Sequence, residues 1–172
     1  AQKFNSDFEI ENFLQVPEPL IQKEFSRIMS LKDGSRKMSK SELSDLSRIN
    51  LTDDSDLIVN KIKKAKTDPL PMPNTIKDLD ERLEAKNLLG MYASLTNSTL
   101  EKSIEIFAGK NFSEFKEKLS EVLVDKIQPI SVEIKKLLDD KSYLNNTLLE
   151  GVERANIIAS KKIKRIKEIV GF

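Results

Sequence analysis

Through most of its second half the chain repeats apolar residues every third or fourth position, the spacing that places them on one face of an α-helix. Phe115, Leu119, Val122, Leu123, Ile127, Ile130, Ile134, Leu137 and Leu138 keep that period past Pro129. This predicts one long helix, kinked near Gln128 but not abolished. Leu144, Leu148, Val152, Ala155, Ala159, Ile163 and Ile166 predict a final helix from about Ser142 to Val170, with Gly171 as its stop. A chain so committed to amphipathic helices folds as a mainly α protein, because each stripe needs another to bury it.

Three shorter helices precede these. Asp53, Asp54 and Ser55 offer an N-cap and an acidic first turn, and Leu57, Ile58, Ile62 and Ala65 then share a face. Pro69, Pro71 and Pro73 end that helix and predict a stiff connector. Leu83, Leu88, Leu89, Tyr92 and Leu95 predict the next helix, with a break at Thr96-Asn97-Ser98. Ser98 and Glu101 have the spacing of a capping box, predicting a short helix through Ile104 and Phe107 that ends near Gly109. Five helices with such stripes predict an antiparallel bundle.

The first fifty residues read differently. Val16-Pro17-Glu18-Pro19-Leu20-Ile21 and Arg27-Ile28-Met29-Ser30-Leu31 are short apolar runs punctuated by proline, glycine and charge, which predicts extended or loop structure. Pro17 and Pro19 argue against a central strand, so residues 26–31 are the strand candidate, followed by a turn at Asp33-Gly34-Ser35.

Composition narrows the chemistry. The chain has no histidine and no cysteine, which removes the Ser/His/Asp and Cys/His nucleophile arrangements along with thiolate and imidazole metal ligands. Chemistry carried here must be electrostatic. Lys plus Arg number 29 against 28 for Asp plus Glu, so attraction to nucleic acid has to come from local clusters. Lys61, Lys63, Lys64 and Lys66 form one, and Lys161, Lys162, Lys164, Arg165 and Lys167 another. Each either reaches phosphates or solvates an outer face while complementing a helix C-terminal dipole. No segment has the apolar length of a membrane span, and Ala1-Gln2-Lys3-Phe4-Asn5 lacks the apolar stretch of a signal peptide. The expected location is the cytoplasm, with the mitochondrial matrix as the alternative. With no initiating Met and no glycine-rich phosphate loop among 5 glycines, the expectation is a piece of a longer protein.

Lys37-Met38-Ser39-Lys40-Ser41 matches, residue for residue, the signature loop of class I aminoacyl-tRNA synthetases. Its lead-in, Arg27-Ile28-Met29-Ser30-Leu31-Lys32-Asp33, resembles that of the tryptophanyl-tRNA synthetases. So do Ile49-x-Leu51-x-Asp53-Asp54-Ser55-Asp56 and Lys61-Ile62-Lys63-Lys64-Ala65 after the loop, and Pro17-Glu18-Pro19-Leu20-Ile21 before it. Glu84-Ala85-Lys86-Asn87-Leu88-Leu89, Phe112-x-x-Phe115-Lys116 and the closing Val170-Gly171-Phe172 extend the likeness over nearly the whole chain. Ser55 and Leu83 depart from it, standing where the family usually has proline, and Glu9-Ile10-Glu11 stands where a glycine is usual.

The resemblance implies a C-terminal half. Residues 1–51 would be the C-terminal edge of a Rossmann-type catalytic domain carrying the loop, and residues 52–172 an α-helical anticodon-binding region whose last helix can pack back on the catalytic core. The implied activity is tryptophan-tRNA ligation: tryptophan is activated with ATP, pyrophosphate leaves, and the aminoacyl group passes to tRNA(Trp). The expected catalytic groups are Lys37 and Lys40, whose ammonium groups would stabilise charge growing on the departing pyrophosphate. Ile28, Met29, Lys37, Met38, Ser39, Lys40 and Ser41 would bind ATP, with Mg2+ arriving on the nucleotide and no metal site of the chain's own. Gly34 would let the loop swing closed and Met38 would anchor it. The tryptophan pocket would lie mostly in the other half, the half present here would be inactive by itself, and the whole enzyme would be a homodimer. The competing reading is a stand-alone RNA-binding or protein-interaction helical module without catalysis.

Overall fold

The computed structural model describes residues 1–21 and 25–172, so at residues 22–24 the expectation of extended or loop structure lies outside the described residues. The molecule is mainly helical, and among the described residues there is no strand. Its helices are α1 (Gln2–Asp7), α2 (Ser55–Lys64), α3 (Leu83–Leu95), α4 (Leu100–Phe107), α5 (Phe112–Asp139) and α6 (Lys141–Val170), with 3-10 turns at Asp45–Ser47 and Lys77–Leu79. Two compact units form, Ala1–Ile21 with Leu137–Phe172 and Gln22–Lys136. No helix among the described residues is long and apolar enough to cross a membrane.

The larger unit is built on the expected helical faces. Asp54 caps α2 by accepting the Leu57 N–H at 2.8 Å, and Ile58 and Ile62 then point into the core with no exposed surface. The proline connector is tied down rather than merely stiff: Met72 is buried and exchanges backbone hydrogen bonds with Lys110 and Gly109 at 2.8 and 3.1 Å. Arg82 closes the same connector with a forked pair on Asp68, at 2.9 and 2.7 Å. Leu88 and Leu89 of α3, Ile104 and Phe107 of α4, and Phe115, Leu119, Leu123 and Ile127 of α5 complete one core. Phe107 meets Tyr92 and Phe115 edge to face, with ring centroids 4.9 and 4.8 Å apart. Helix α5 runs unbroken through Pro129, as its period predicts.

The cap of α4 sits one residue later than the capping-box spacing suggests. Asn97 takes a left-handed φ of 52°, and Ser98 donates its N–H to Ala93 O at 2.9 Å, so Ser98 closes α3 rather than opening α4. Thr99 caps α4 instead, accepting the Lys102 N–H at 3.3 Å.

In the smaller unit the expected burial of the last stripe is overturned. Helix α6 spans the expected residues and stops at left-handed Gly171, yet none of its 30 residues is buried, and Leu148 is 66% exposed. A helix of that length is roughly 45 Å long, and the six residues of α1 cannot cover it. The antiparallel bundle is therefore corrected to four helices around one core, with the stripe of α6 left open. Residues 1–21 fold on themselves: Phe4 packs on Phe8 with centroids 4.8 Å apart, and the Asn5 side chain pairs with both backbone groups of Leu14 at 2.8 and 2.9 Å. Lys162 donates to Phe13 O at 2.6 Å and lies over that ring.

Candidate functional site

The loop 37–41 is held by a narrow backbone fold. Met29 and Lys37 form a single antiparallel bridge, flanked by Met38 N–H on Ile28 O at 3.0 Å and Ser30 N–H on Arg36 O at 2.8 Å. The two arms close at the expected turn, where Arg36 N–H reaches Asp33 O at 3.1 Å and the Asp33 carboxylate accepts from Ser35 N and Oγ. These bonds hold the Asp33 carboxyl below its ordinary value.

The strand expected over residues 26–31 reduces to that one bridge, because other partners take its backbone groups. The Asn87 amide pairs with both polar groups of Met29, Leu31 N–H goes to Ser47 O at 2.8 Å, and Leu31 O accepts Lys66 N–H at 2.7 Å. The turn presses on the start of α3. A Cβ on Gly34 would stand 2.8 Å from Glu84 N, so this position requires glycine for close approach, whatever its part in loop motion.

Ile28, Lys37, Met38, Ser39 and Lys40 come together around a groove of about 570 Å³, lined further by Ser26, Arg27, Arg48, Ile49, Asn50, Leu51 and Thr52. Met29 and Ser41 lie outside that lining, and Met29 faces a separate cavity of about 510 Å³ with Asn87 and Leu83. Lys37 and Lys40 are exposed, and among the described residues neither makes an ion pair. Met38 is half-buried and packs on the core. Ser39 Oγ and Ser41 Oγ share a hydrogen bond at 2.8 Å. Among the described residues Arg27, Lys37 and Lys40 give the groove three cations outside any ion pair, Arg48 is paired with Asp45, and no acidic side chain lines it. Such a lining favours a polyphosphate, while Ile28, Ile49 and Leu51 offer an apolar wall to a flat heterocycle.

Beneath the loop lies a network that the sequence reading missed. Lys61, which the sequence places in a basic cluster expected to reach phosphates or solvate an outer face, has no exposed surface, and its ammonium sits 2.6 Å from both Asp45 Oδ2 and Asp53 Oδ2. The signal was present: Lys61 follows Ile58 by three positions and so shares the buried face of α2. Asp45 also accepts from Asn50 Nδ2 at 3.0 Å and from Arg48 Nη2 at 2.9 Å. Hydrogen bonds from Lys61 and then Asn50 hold the Asp45 carboxyl below the usual carboxylate range. The remaining basic residues are partly spoken for, since Lys66 pairs with Glu84 at 2.8 Å and Arg165 with Glu168 at 2.9 Å.

Comparison with known proteins follows the same line. The family model for class I tRNA synthetases (W and Y) matches residues 1–163. The chain is 46% identical to the tryptophan–tRNA ligase of Caulobacter vibrioides over 172 residues, covering 100% of this chain and 50% of the relative. It is 48% identical to that of Rickettsia felis, covering 100% of this chain and 51% of the relative. It thus spans about half the length of the curated relatives it matches. The crystal structure of tryptophanyl-tRNA synthetase from Mycoplasma pneumoniae superposes with a TM-score of 0.80 at 23% identity, over 100% of this chain and 51% of that one, which shows a shared fold.

Proposed function

The chain belongs to the family of class I tRNA synthetases (W and Y), and from that premise we propose that it is the C-terminal part of a tryptophan-tRNA ligase. The groove carries this reading, because a lining whose described residues bring the unpaired cations Arg27, Lys37 and Lys40 and no acid suits the triphosphate of ATP. In the proposed reaction a carboxylate oxygen of tryptophan bonds to the α-phosphorus and the bond to the bridging oxygen breaks. Pyrophosphate leaves with its Mg2+, and the adenylate remains. A hydroxyl of tRNA(Trp) then attacks the adenylate carbonyl and AMP departs.

Lys37 and Lys40 face the groove and are free to follow the leaving diphosphate, so they stabilise a charge larger in the transition state than in bound ATP. The Ser39 and Ser41 hydroxyls supply neutral donors beside them. Ile28 sits at the apolar wall where the adenine would lie, and Met29 acts behind it through the backbone bridge to Lys37. Residues 1–51 act as the edge of the Rossmann-type catalytic domain and residues 52–172 as the anticodon-binding region, its exposed lysines reaching tRNA phosphates. The open stripe of α6 packs back on the catalytic core of the whole protein, a cytoplasmic homodimer.

Pyrophosphate exchange into ATP by the full-length protein tests the reading. Exchange should require tryptophan; exchange that instead requires tyrosine, or none at all, would overturn it.

A further inference from the structure

Arg48 divides its guanidinium between the loop with the residue that follows it and the side chains of Asn50 and Asp45. Nη1 donates to Glu42 O at 2.9 Å and to Ser39 O at 3.5 Å, Nε donates to Asn50 Oδ1 at 3.2 Å, and Nη2 pairs with Asp45 Oδ1 at 2.9 Å. The other oxygen of Asp45 belongs to the buried ammonium of Lys61, which Asp53 holds from its far side. An ammonium without exposed surface survives only when paired, so Lys61 ties Asp45 firmly to the core helix α2. Two cations and two carboxylates cancel, and the network's effect is geometric rather than a net field.

We propose that Arg48 is a positioning residue that sets where the loop 37–41 rests, and that Lys61 holds Arg48 in place through Asp45. The proposal rests on the functional reading above for its catalytic consequence, but not for the tether itself. Loop closure then breaks the longer contact, to Ser39 O, while the shorter one, to Glu42 O, stays as the pivot. Arginine is suited to this because its planar fork reaches two carbonyls and a carboxylate at once, which a lysine cannot do.

Two readouts on the full-length protein separate the tether from the activity. The first is trypsin cleavage after Lys37 and Lys40 under native conditions, followed by mass spectrometry. Arg48→Met should speed it about tenfold or more, since charge-assisted bonds to the carbonyls are lost, and Arg48→Lys should fall between. Asp45→Asn, which keeps the shape and removes the charge, should act in the same direction even if Lys61→Met does not fold. The double variant Arg48→Met with Asp45→Asn should be no faster than Arg48→Met by itself. Cleavage of Arg48→Met at the parent rate would overturn the tether, and additive effects would overturn the relay through Asp45.

The second readout is tryptophan-dependent pyrophosphate exchange, where Arg48→Met should lower kcat about tenfold and leave the KM for tryptophan unchanged. An equal rise in that KM would point to a merely structural role. If the parent protein shows no exchange, the functional reading fails, and the cleavage rates still decide the tether.

Discussion

The side-chain amide of Asn87 stands in for a neighbouring strand: its Nδ2 donates to Met29 O and its Oδ1 accepts the Met29 N–H, both at 2.9 Å. A residue of α3 thereby satisfies the backbone of the segment that leads into the loop. Asn87→Leu leaves two backbone groups without partners in a place where Asn87 itself is buried. At about 1–3 kcal/mol for each stranded group, the loss should be about 2–6 kcal/mol in denaturant unfolding. An unchanged midpoint would show that the pair contributes nothing.

On the proposed function, Lys40→Ala in the full-length protein should lower the rate of tryptophan activation by roughly 10²–10³, the usual cost of one transition-state donor. Tryptophan binding, measured by equilibrium titration, should stay as it was. A weakened tryptophan affinity with an unchanged rate would place Lys40 in ground-state binding instead.

Ser55 occupies the first position of α2, and its Oγ donates to Gln128 Oε1 on α5 at 2.9 Å. Ser55→Pro keeps a residue suited to a helix start and removes a bond between two helices of the core. The two effects oppose, so the net change should be within about 1 kcal/mol. Ser55→Ala, which has only the loss, should be the less stable of the two by thermal unfolding.

Glu9 holds a left-handed φ of 51° with no glycine to ease it. Glu9→Gly removes a steric cost of about 1–2 kcal/mol and adds unfolded-state entropy of about half that size. The variant should be more stable by up to about 1 kcal/mol, and hydrogen exchange of residues 1–21 should slow accordingly. Faster exchange would mean that the glutamate makes a compensating contact.

Acid should unfold the protein over a narrow window. Asp45 and Asp78 lie below their ordinary 3.8 and Glu84 below 4.5: Lys61 hydrogen-bonds Asp45, the Thr75 and Asn74 N–H groups bond Asp78, and Lys66 bonds Glu84. A carboxyl depressed by folding stabilises fully above its unfolded value and loses that contribution as pH falls through its folded value. Stability should therefore be level down to about pH 5 and fall below about pH 4. With no histidine in the chain, nothing here titrates in its ordinary range between those values and neutrality. A denaturation midpoint that drops between pH 7 and pH 6 would contradict this.

Helix existence was legible because period is a local property. Leu88, Leu89, Phe115 and Leu119 announce their faces by spacing and are buried as spaced. What the spacing does not say is whether a stripe meets a partner, and Leu148 and Val152 of α6 repeat as regularly as Leu119 while standing open. The loop was legible as a string of residue types. Its support was not, because Arg48, Asp45 and Lys61 come together through side-chain reach between irregular backbone and a helix, which no period records. Met29 failed as a strand for the same reason, since its partner is a side chain 58 residues away.

The buried ammonium of Lys61 also makes the protein its own folding gauge. Amine-reactive reagents modify surface lysines within minutes of mixing, whereas a side chain with no exposed surface is reached only when the core around it opens. The fraction of chains labelled at that one position would report how often α2 comes loose, with exposed lysines such as Lys37 and Lys40 acting as the standard for reagent dose.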